Sequence, residues 1–334
     1  MLKKETYFAY LVALTVLISA AYSVYRHYDF SYSEDSKSYI EMAQGNYKGI
    51  SMTHQYRFIT PTIAGVVSIP ISWVCSKIWA DRGGEIWAIR LSFLIENVLL
   101  MAFFGSLLFC IARREGIPFE AALLSMIFLL TTRWGIDNAA LPLVEALYLV
   151  CIAGMVYALQ TNQLGLQVAI IVVGCFAKEA FVFELPILLF CSRQRKRMLL
   201  VSILLTACLV WASRSFIDQT TGNNYVQEVG NFVRHFQNIG VNLRNLITPK
   251  GLFETFSAVG LGGIFILYGV WQREVRQIYF NEIPAWAWGV FGAAVVQGLL
   301  GEWGRMLYYA CPFYMLLLGF AIDLALKNAL RKKA

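Results

Sequence analysis

The sequence predicts an all-α integral membrane protein, a polytopic helical bundle of roughly ten transmembrane helices. Three observations carry this. Of 334 residues, 58% are hydrophobic and 15% charged, with a mean hydropathy of +0.58, which ordinary water-soluble domains do not show. Apolar runs recur along the whole length, separated by segments mostly too short to hold a soluble domain. The Lys and Arg residues behind the net charge of +7 cluster at the ends of those runs, where topology accounts for them and no nucleic acid is needed. Residues 1–334 are therefore expected to form one domain, with an external first loop at 28–80 carrying juxtamembrane helices and another external loop at 214–251.

Assigning the basic clusters to the cytoplasmic side sets the path. After Lys3 and Lys4, the stretch from Tyr7 to about Arg26 lacks a small-residue cleavage signature and is expected to stay as the first span. It leads out and leaves Tyr28 to Arg57 outside. The run from about Ile86 to Ala112 returns to Arg113 and Arg114. Between them Thr60 to Ala80 is apolar enough to cross, but Pro61 and Pro70 interrupt it, and a crossing would carry Arg113 and Arg114 outside. This piece is expected at the outer interface or as a re-entrant helix.

Pro118 to Thr132 then goes out and Pro142 to Gln160 returns. Leu164 to Cys191, broken by Lys178 and Glu179, is too long for one span and suits two short helices meeting at an outer turn. Leu199 to about Ser213 exits, Leu252 to Trp271 re-enters, Pro284 to Leu300 exits, and Met306 to Leu326 ends beside Lys327, with both termini cytoplasmic. Seven cysteines lie mostly inside apolar runs without paired spacing, so neither a zinc site nor a disulfide framework is signalled. No Gly-rich phosphate loop follows a strand, and no metal or other cofactor is expected.

On this path Tyr28–Arg57, Arg133–Asn138, the Lys178/Glu179 turn, Arg214–Gly251 and Gly301–Arg305 gather on the outside. In the first loop Asp35, Tyr39 and Ala43 are spaced by four and share a face if the piece is helical. A carboxylate just above the lipid boundary can take a proton from an acceptor hydroxyl. The plainer alternative is a solvated loop in which Glu34, Asp35, Lys37 and Glu41 all face water. Arg90 and Glu96 lie near membrane depth, six residues apart and so on different faces. Glu96 is a weaker candidate than Asp35. His54 and His235 fall outside the membrane and are available to assist. The loop Arg214–Gly251, with Tyr225, Phe232 and Phe236 among Asn and Gln residues, has a composition suited to sugar hydroxyls and ring faces.

The pattern Asp35-x-x-x-Tyr39-x-x-x-Ala43, followed by Tyr56-Arg57-Phe58-Ile59-Thr60-Pro61, resembles the first-loop signature of small bacterial membrane glycosyltransferases of the C superfamily (GT-C), which use polyprenyl-phosphate sugars. Leu141-Pro142-Leu143-Val144-Glu145 resembles a Pro-x-x-acid element opening a later span, with Glu where Asp is expected. Ala177-Lys178-Glu179 is similar to the family's Lys-Glu pair between short helices. The segment from Arg305 through Tyr308 and Tyr309 to Pro312 is similar to an Arg-to-Pro element opening the last span. The resemblance implies Asp35 as the general base, transfer with inversion, and a site facing the periplasm of a bacterial inner membrane.

Independent of that likeness, a lipid-phosphate donor needs cations at headgroup depth, and Arg57, Lys178 and Arg305 all map to the outer boundary. Tyr39, His54, Glu145, Glu179, Glu302 and Tyr308 are the candidates for orienting these groups or the sugar. The alternatives are that Arg57 and Arg305 only anchor at the interface and that Lys178 and Glu179 neutralise each other in a turn. The expected partners are a polyprenyl-phosphate sugar donor, membrane lipids, and a glycan, lipid or protein acceptor. The competing readings are a transporter or flippase for a lipid-linked or amphipathic substrate, a membrane acyltransferase, whose usual need for a placed His is poorly met by His27, His54 and His235, and a structural subunit.

Overall fold

The computed structural model describes residues 2–78, 85–193, 196–222, 236–237 and 239–331, and every regular element among them is helical. In chain order these are α1 (Leu2–His27), α2 (Glu34–Ala43), α3 (Met52–Gln55), α4 (Ile59–Ile78), α5 (Glu85–Arg114) and α6 (Phe119–Leu130). There follow α7 (Arg133–Ala140), α8 (Glu145–Thr161), α9 (Leu164–Ala177), α10 (Leu185–Cys191) and α11 (Lys196–Thr221). The last are α12 (Pro249–Val259), α13 (Gly262–Trp271), α14 (Arg273–Asn281), α15 (Ala285–Leu300), α16 (Trp303–Leu307) and α17 (Cys311–Arg331). Two 3₁₀ turns, Glu179–Phe183 and Tyr308–Ala310, join α9 to α10 and α16 to α17.

The chain is a multi-pass membrane protein. Among the described residues five helices are long and apolar enough to cross a bilayer: Lys3–His27, Ile59–Ile78, Ile86–Arg114, Lys196–Thr221 and Trp303–Arg331. Counting each bent pair as one span gives eight, with α8 and α9 as further, shorter apolar helices. Length and composition thus reach eight spans rather than the ten read from the sequence.

Packing follows side-chain size. Ala9, Ala13, Leu17 and Ala21, one every fourth residue on α1, are wholly inaccessible, and the three alanines of this buried stripe let α1 lie close against α5. Thr6 Oγ1 meets Cys110 Sγ at 3.1 Å and Arg113 donates to Glu5 at 3.1 Å, so the start of α1 lies beside the end of α5 and the two run antiparallel. At the same end of the bundle Gln160 donates to the Ile111 carbonyl at 3.3 Å and to Glu115 at 2.7 Å. Ser192 donates to Gln167 at 2.9 Å, which pins the end of α10 beside α9. The chain therefore turns between α9 and α10 at Lys178, as two short helices meeting at a turn.

Three elements depart from the sequence reading. Thr60–Ala80 was expected to be interrupted by its prolines, yet α4 is one continuous helix to Ile78. Pro61 sits in its first turn, where the missing N–H has no intrahelical role, and Pro70 forfeits one hydrogen bond within a run that is otherwise strongly helical. Leu252–Trp271, expected as a single span, is broken into α12 and α13 at 95°. Gly260 makes the break with φ 58° and ψ −146°, a conformation open essentially to glycine alone, and a Cβ there would stand 3.1 Å from the Thr132 methyl. Finally α11 extends to Thr221, past the expected end at Ser213, and so carries Arg214 and Asp218 up to the first loop.

That first loop is packed rather than solvated. Phe30, Tyr39, Ile40 and Met42 bury against Ala64 of α4, Ile89 and Phe93 of α5, and Val144. The end of α2 approaches α4 so closely that a Cβ on Gly65 would lie 2.5 Å from the Ala43 carbonyl oxygen. Only glycine permits the contact.

Candidate active site

Ser33 caps α2 by accepting from the Ser36 N–H at 3.4 Å, and the helix then divides its polar residues between two faces. On the outer face Lys37 donates to Glu34 at 2.9 Å and Asn46 to Glu41 at 2.6 Å, in the open. The inner face carries Asp35 and Tyr39. The solvated-loop alternative thus describes Glu34, Lys37 and Glu41, and not Asp35.

Both oxygens of the Asp35 carboxylate are engaged. Oδ1 lies 3.1 Å from His54 Nε2, and Oδ2 accepts from Arg305 Nη1 at 2.9 Å. The His54 hydrogen bond, joined by the charge and hydrogen bond of Arg305, outweighs burial and holds the Asp35 carboxyl well below the usual carboxylate range. His54 packs its ring against Tyr39 at 5.2 Å between centroids, and its Nδ1 is buried without a hydrogen-bond partner.

Arg57, just ahead of α4, turns its guanidinium inward. Nε donates to Glu179 Oε2 at 3.0 Å, Nη2 to the other oxygen of the same carboxylate, and Nη1 to the Tyr39 hydroxyl at 3.1 Å. The bidentate geometry suits a planar guanidinium and would be lost with Lys. Lys178 donates to Glu145 Oε1 at 2.9 Å and to the Tyr309 hydroxyl at 2.7 Å, with 3% and 1% of the Lys178 and Glu145 side chains exposed. Glu145 stands in the first turn of α8, where the exposed N–H groups of the helix favour a negative charge.

Arg305, on α16, spans three carboxylates. Besides Asp35 it lies 3.7 Å from Glu145 Oε1 and 3.2 Å from Glu302 Oε2. Three cations, Arg57, Lys178 and Arg305, are thus interleaved with Asp35, Glu145 and Glu179, and Glu302 stands at the rim. Three cations face these three carboxylates, with Glu302 as a fourth, so an arriving anion has to displace a carboxylate. Arg305 is the cation placed to switch, because 18% of its side chain is exposed and its charge is spread over several partners.

Of the residues singled out in the sequence, Asp35, Tyr39, His54, Arg57, Glu145, Lys178, Glu179, Glu302 and Arg305 belong to this one network. The pairing of Lys178 with Glu179 does not form; each bonds a residue from elsewhere in the chain. Tyr308 does not belong to it: its hydroxyl donates to the Leu129 carbonyl at 3.1 Å and its ring faces Phe104. The tyrosine that joins the network is its neighbour Tyr309, whose hydroxyl accepts from Lys178. Tyr309 is held edge-on by Tyr148 at 4.8 Å; Tyr148 in turn donates to Gln297 at 3.0 Å, which donates to Glu184 at 3.1 Å. This buried support carries no local sequence signal, because its members are far apart in the chain.

Arg90 and Glu96 stay apart from the site: the Arg90 guanidinium covers the Phe30 ring at 4.5 Å, and the Glu96 carboxylate is buried with no hydrogen-bond partner. Asp137 pairs with Arg133 at 3.5 Å. His235, Tyr225 and Phe232 lie outside the described residues. No family model, no curated protein and no solved structure matches the chain.

Proposed function

We propose that the chain is a membrane glycosyltransferase that moves a sugar from a polyprenyl-phosphate donor to an acceptor at the external face of a bacterial inner membrane. The observation that carries this reading is that Asp35, Arg57, Lys178 and Arg305, four residues from three distant segments, join one network of ion pairs and hydrogen bonds. A carboxylate beside a group of cations at one end of an apolar bundle is what transfer from a lipid phosphate requires. In this reading the helices make ten passes, the site end faces the periplasm and the basic end faces the cytoplasm.

In the transfer, Asp35 takes the proton of the acceptor hydroxyl as its oxygen bonds to the anomeric carbon. The bond from that carbon to the phosphate oxygen breaks, and the lipid monophosphate leaves with the electron pair. Arg57, Lys178 and Arg305 stabilise the charge gathering on the departing phosphate. Asp35 is a weak base while His54 and Arg305 hold it. As Arg305 turns to the phosphate, Asp35 loses a partner and gains basicity, so donor binding primes the base. Tyr309 and Glu145 position Lys178; Glu179 and Tyr39 position Arg57.

The test uses purified protein with a panel of polyprenyl-phosphate pentoses and hexoses, following release of the lipid monophosphate. Asp35→Asn keeps the shape and removes the base, and should slow transfer by about 10²–10⁴-fold. An Asp35→Asn protein with full activity would remove Asp35 from this role, and a wild-type protein that consumes no donor would refute the reading.

A further inference from the structure

Beside the charged network, on the far side of Glu302, lies a pocket of about 150 Å³ that no step above uses. Its walls carry Asn242, Asn245, Lys250, Glu254, Glu302 and Trp303. We infer that this pocket is the acceptor subsite and that it takes a neutral saccharide, an inference that rests on the glycosyltransferase reading.

The pocket is a built feature. Trp303 donates its indole N–H to Thr255 at 2.8 Å, and Trp134 donates to Ser257 at 3.0 Å, so two indoles tie α12 to this end of the bundle. On the other wall the Asn242 amide nitrogen lies 3.2, 2.9 and 2.9 Å from the carbonyl oxygens of Gly298, Leu299 and Gly301. Both walls are thereby pinned to the corner between α15 and α16. At the start of α12 a side chain on Gly251 would collide with the Asn245 carbonyl, so the turn closing the pocket depends on glycine.

Its chemistry fits a sugar and not a phosphate. Lys250 and Glu254 lie 4.0 Å apart, and with Glu302 the described residues of the lining carry one cation against two carboxylates. An excess of negative charge repels an anion, whereas carboxylates, an amide and an ammonium together accept from and donate to hydroxyls. Trp303 supplies the apolar surface against which the C–H face of a sugar ring rests. The pocket is also in the right place. One guanidinium, that of Arg305, touches Asp35 through Nη1 and Glu302 through Nε, at 2.9 and 3.2 Å. The Arg305 guanidinium thus stands between the pocket and the base, and its turn toward the donor phosphate, on the cationic side, is what opens Asp35 to a hydroxyl of a ring held beside Glu302.

The inference is tested in two arms on the full chain in lipid nanodiscs. In the first, saturation-transfer NMR is recorded with methyl mannoside, methyl galactoside and methyl arabinofuranoside and no donor. Ring-proton saturation is expected for at least one glycoside, falling at least threefold in Asn245→Ala and in Glu254→Gln. No saturation by any of the three, or saturation unchanged in both variants, overturns the subsite. In the second arm turnover is followed with a polyprenyl-phosphate sugar and the bound glycoside. The same variants should raise the acceptor KM at least tenfold and leave the donor KM in place, a split that a general loss of structure would not produce. An acceptor KM within twofold of wild type in both variants overturns the assignment as acceptor subsite. Binding in the first arm without donor consumption in the second leaves a saccharide pocket and sinks the glycosyltransferase reading together with the acceptor role.

Discussion

Lys178 and Glu145 make a buried ion pair whose partners can be removed one at a time, and the two deletions should respond to pH in opposite directions. Lys178→Met strands the Glu145 carboxylate and Glu145→Gln strands the Lys178 ammonium, both almost wholly out of solvent. A stranded buried charge can escape by neutralising, and that caps its cost. At pH 7 the cap is about 3.7 kcal/mol for a carboxyl of ordinary pKa near 4.3, and about 4.6 kcal/mol for a lysine near 10.4, at 1.36 kcal/mol per unit.

The structure ranks the two below those caps. Stranded Glu145 retains a cation, Arg305, at 3.7 Å from the same oxygen, whereas stranded Lys178 retains only neutral acceptors in direct contact, the Tyr309 hydroxyl and the new amide oxygen at position 145. Glu145→Gln should therefore cost about 4 kcal/mol and Lys178→Met about 2–3 kcal/mol. With an unfolding entropy of about 2.1 cal/mol/K per residue, a chain of this size loses roughly 1.4 °C of Tm per kcal/mol. The expected drops are about 6 °C and about 3–4 °C.

The pH trends follow from proton counts. In Glu145→Gln the unfolded chain binds the proton that folded Lys178 gives up, so stability recovers as pH rises. In Lys178→Met any proton taken up belongs to folded Glu145, so stability recovers as pH falls. Thermal unfolding at pH 6, 7 and 8, read by tryptophan fluorescence against wild type, separates the two. Equal shifts with parallel pH trends would refute the buried pair and the asymmetry that Arg305 imposes on it.

Further outcomes can be measured. Asp35 is held below its ordinary pKa, so its ionised form stabilises the fold above pH of about 3.9 and that contribution disappears as pH falls through the lower folded value. Asp35 accordingly puts no acid limb on kcat/KM between pH 5 and 8, and His54→Gln, which removes its principal support, should raise the limb; a wild-type limb from this group at pH 6 would contradict the geometry. Arg57→Lys can restore only one of the contacts to Glu179 and Tyr39 and should cost about 1–3 kcal/mol in thermal unfolding, so an unchanged Tm would mean that the fork is not formed. Gly260→Ala forces a side chain into a conformation reserved for glycine and against Thr132, at about 1–3 kcal/mol; a Tm shift below about 1 °C would show that the break between α12 and α13 does not depend on it.

Local signals in the chain accounted for the helices that form and for most of the residues that meet. Asp35 and Tyr39 were legible because a spacing of four puts both on one face of α2, and the Lys178 turn because a long apolar stretch with a charged middle has to fold back. Other features were not legible. Pro70 looked like an interruption, yet one lost hydrogen bond did not outweigh the apolar helix on both sides of it. Gly260 carries no signal in the sequence that sets it apart from other glycines in apolar runs, and only its backbone conformation, with Thr132 packed against it, shows why the chain bends there.

By itself the sequence determined that the chain is a helical membrane protein and which charged residues interrupt or border its apolar runs. These are properties of composition and short-range periodicity, and each residue carries them independently of its partners. The tertiary structure alone decided who pairs with whom. Lys178 bonds Glu145 and Tyr309 instead of its neighbour Glu179, Arg57 takes Glu179, and Tyr309 replaces Tyr308, because ion pairs and hydrogen bonds depend on distances between segments that only packing brings together.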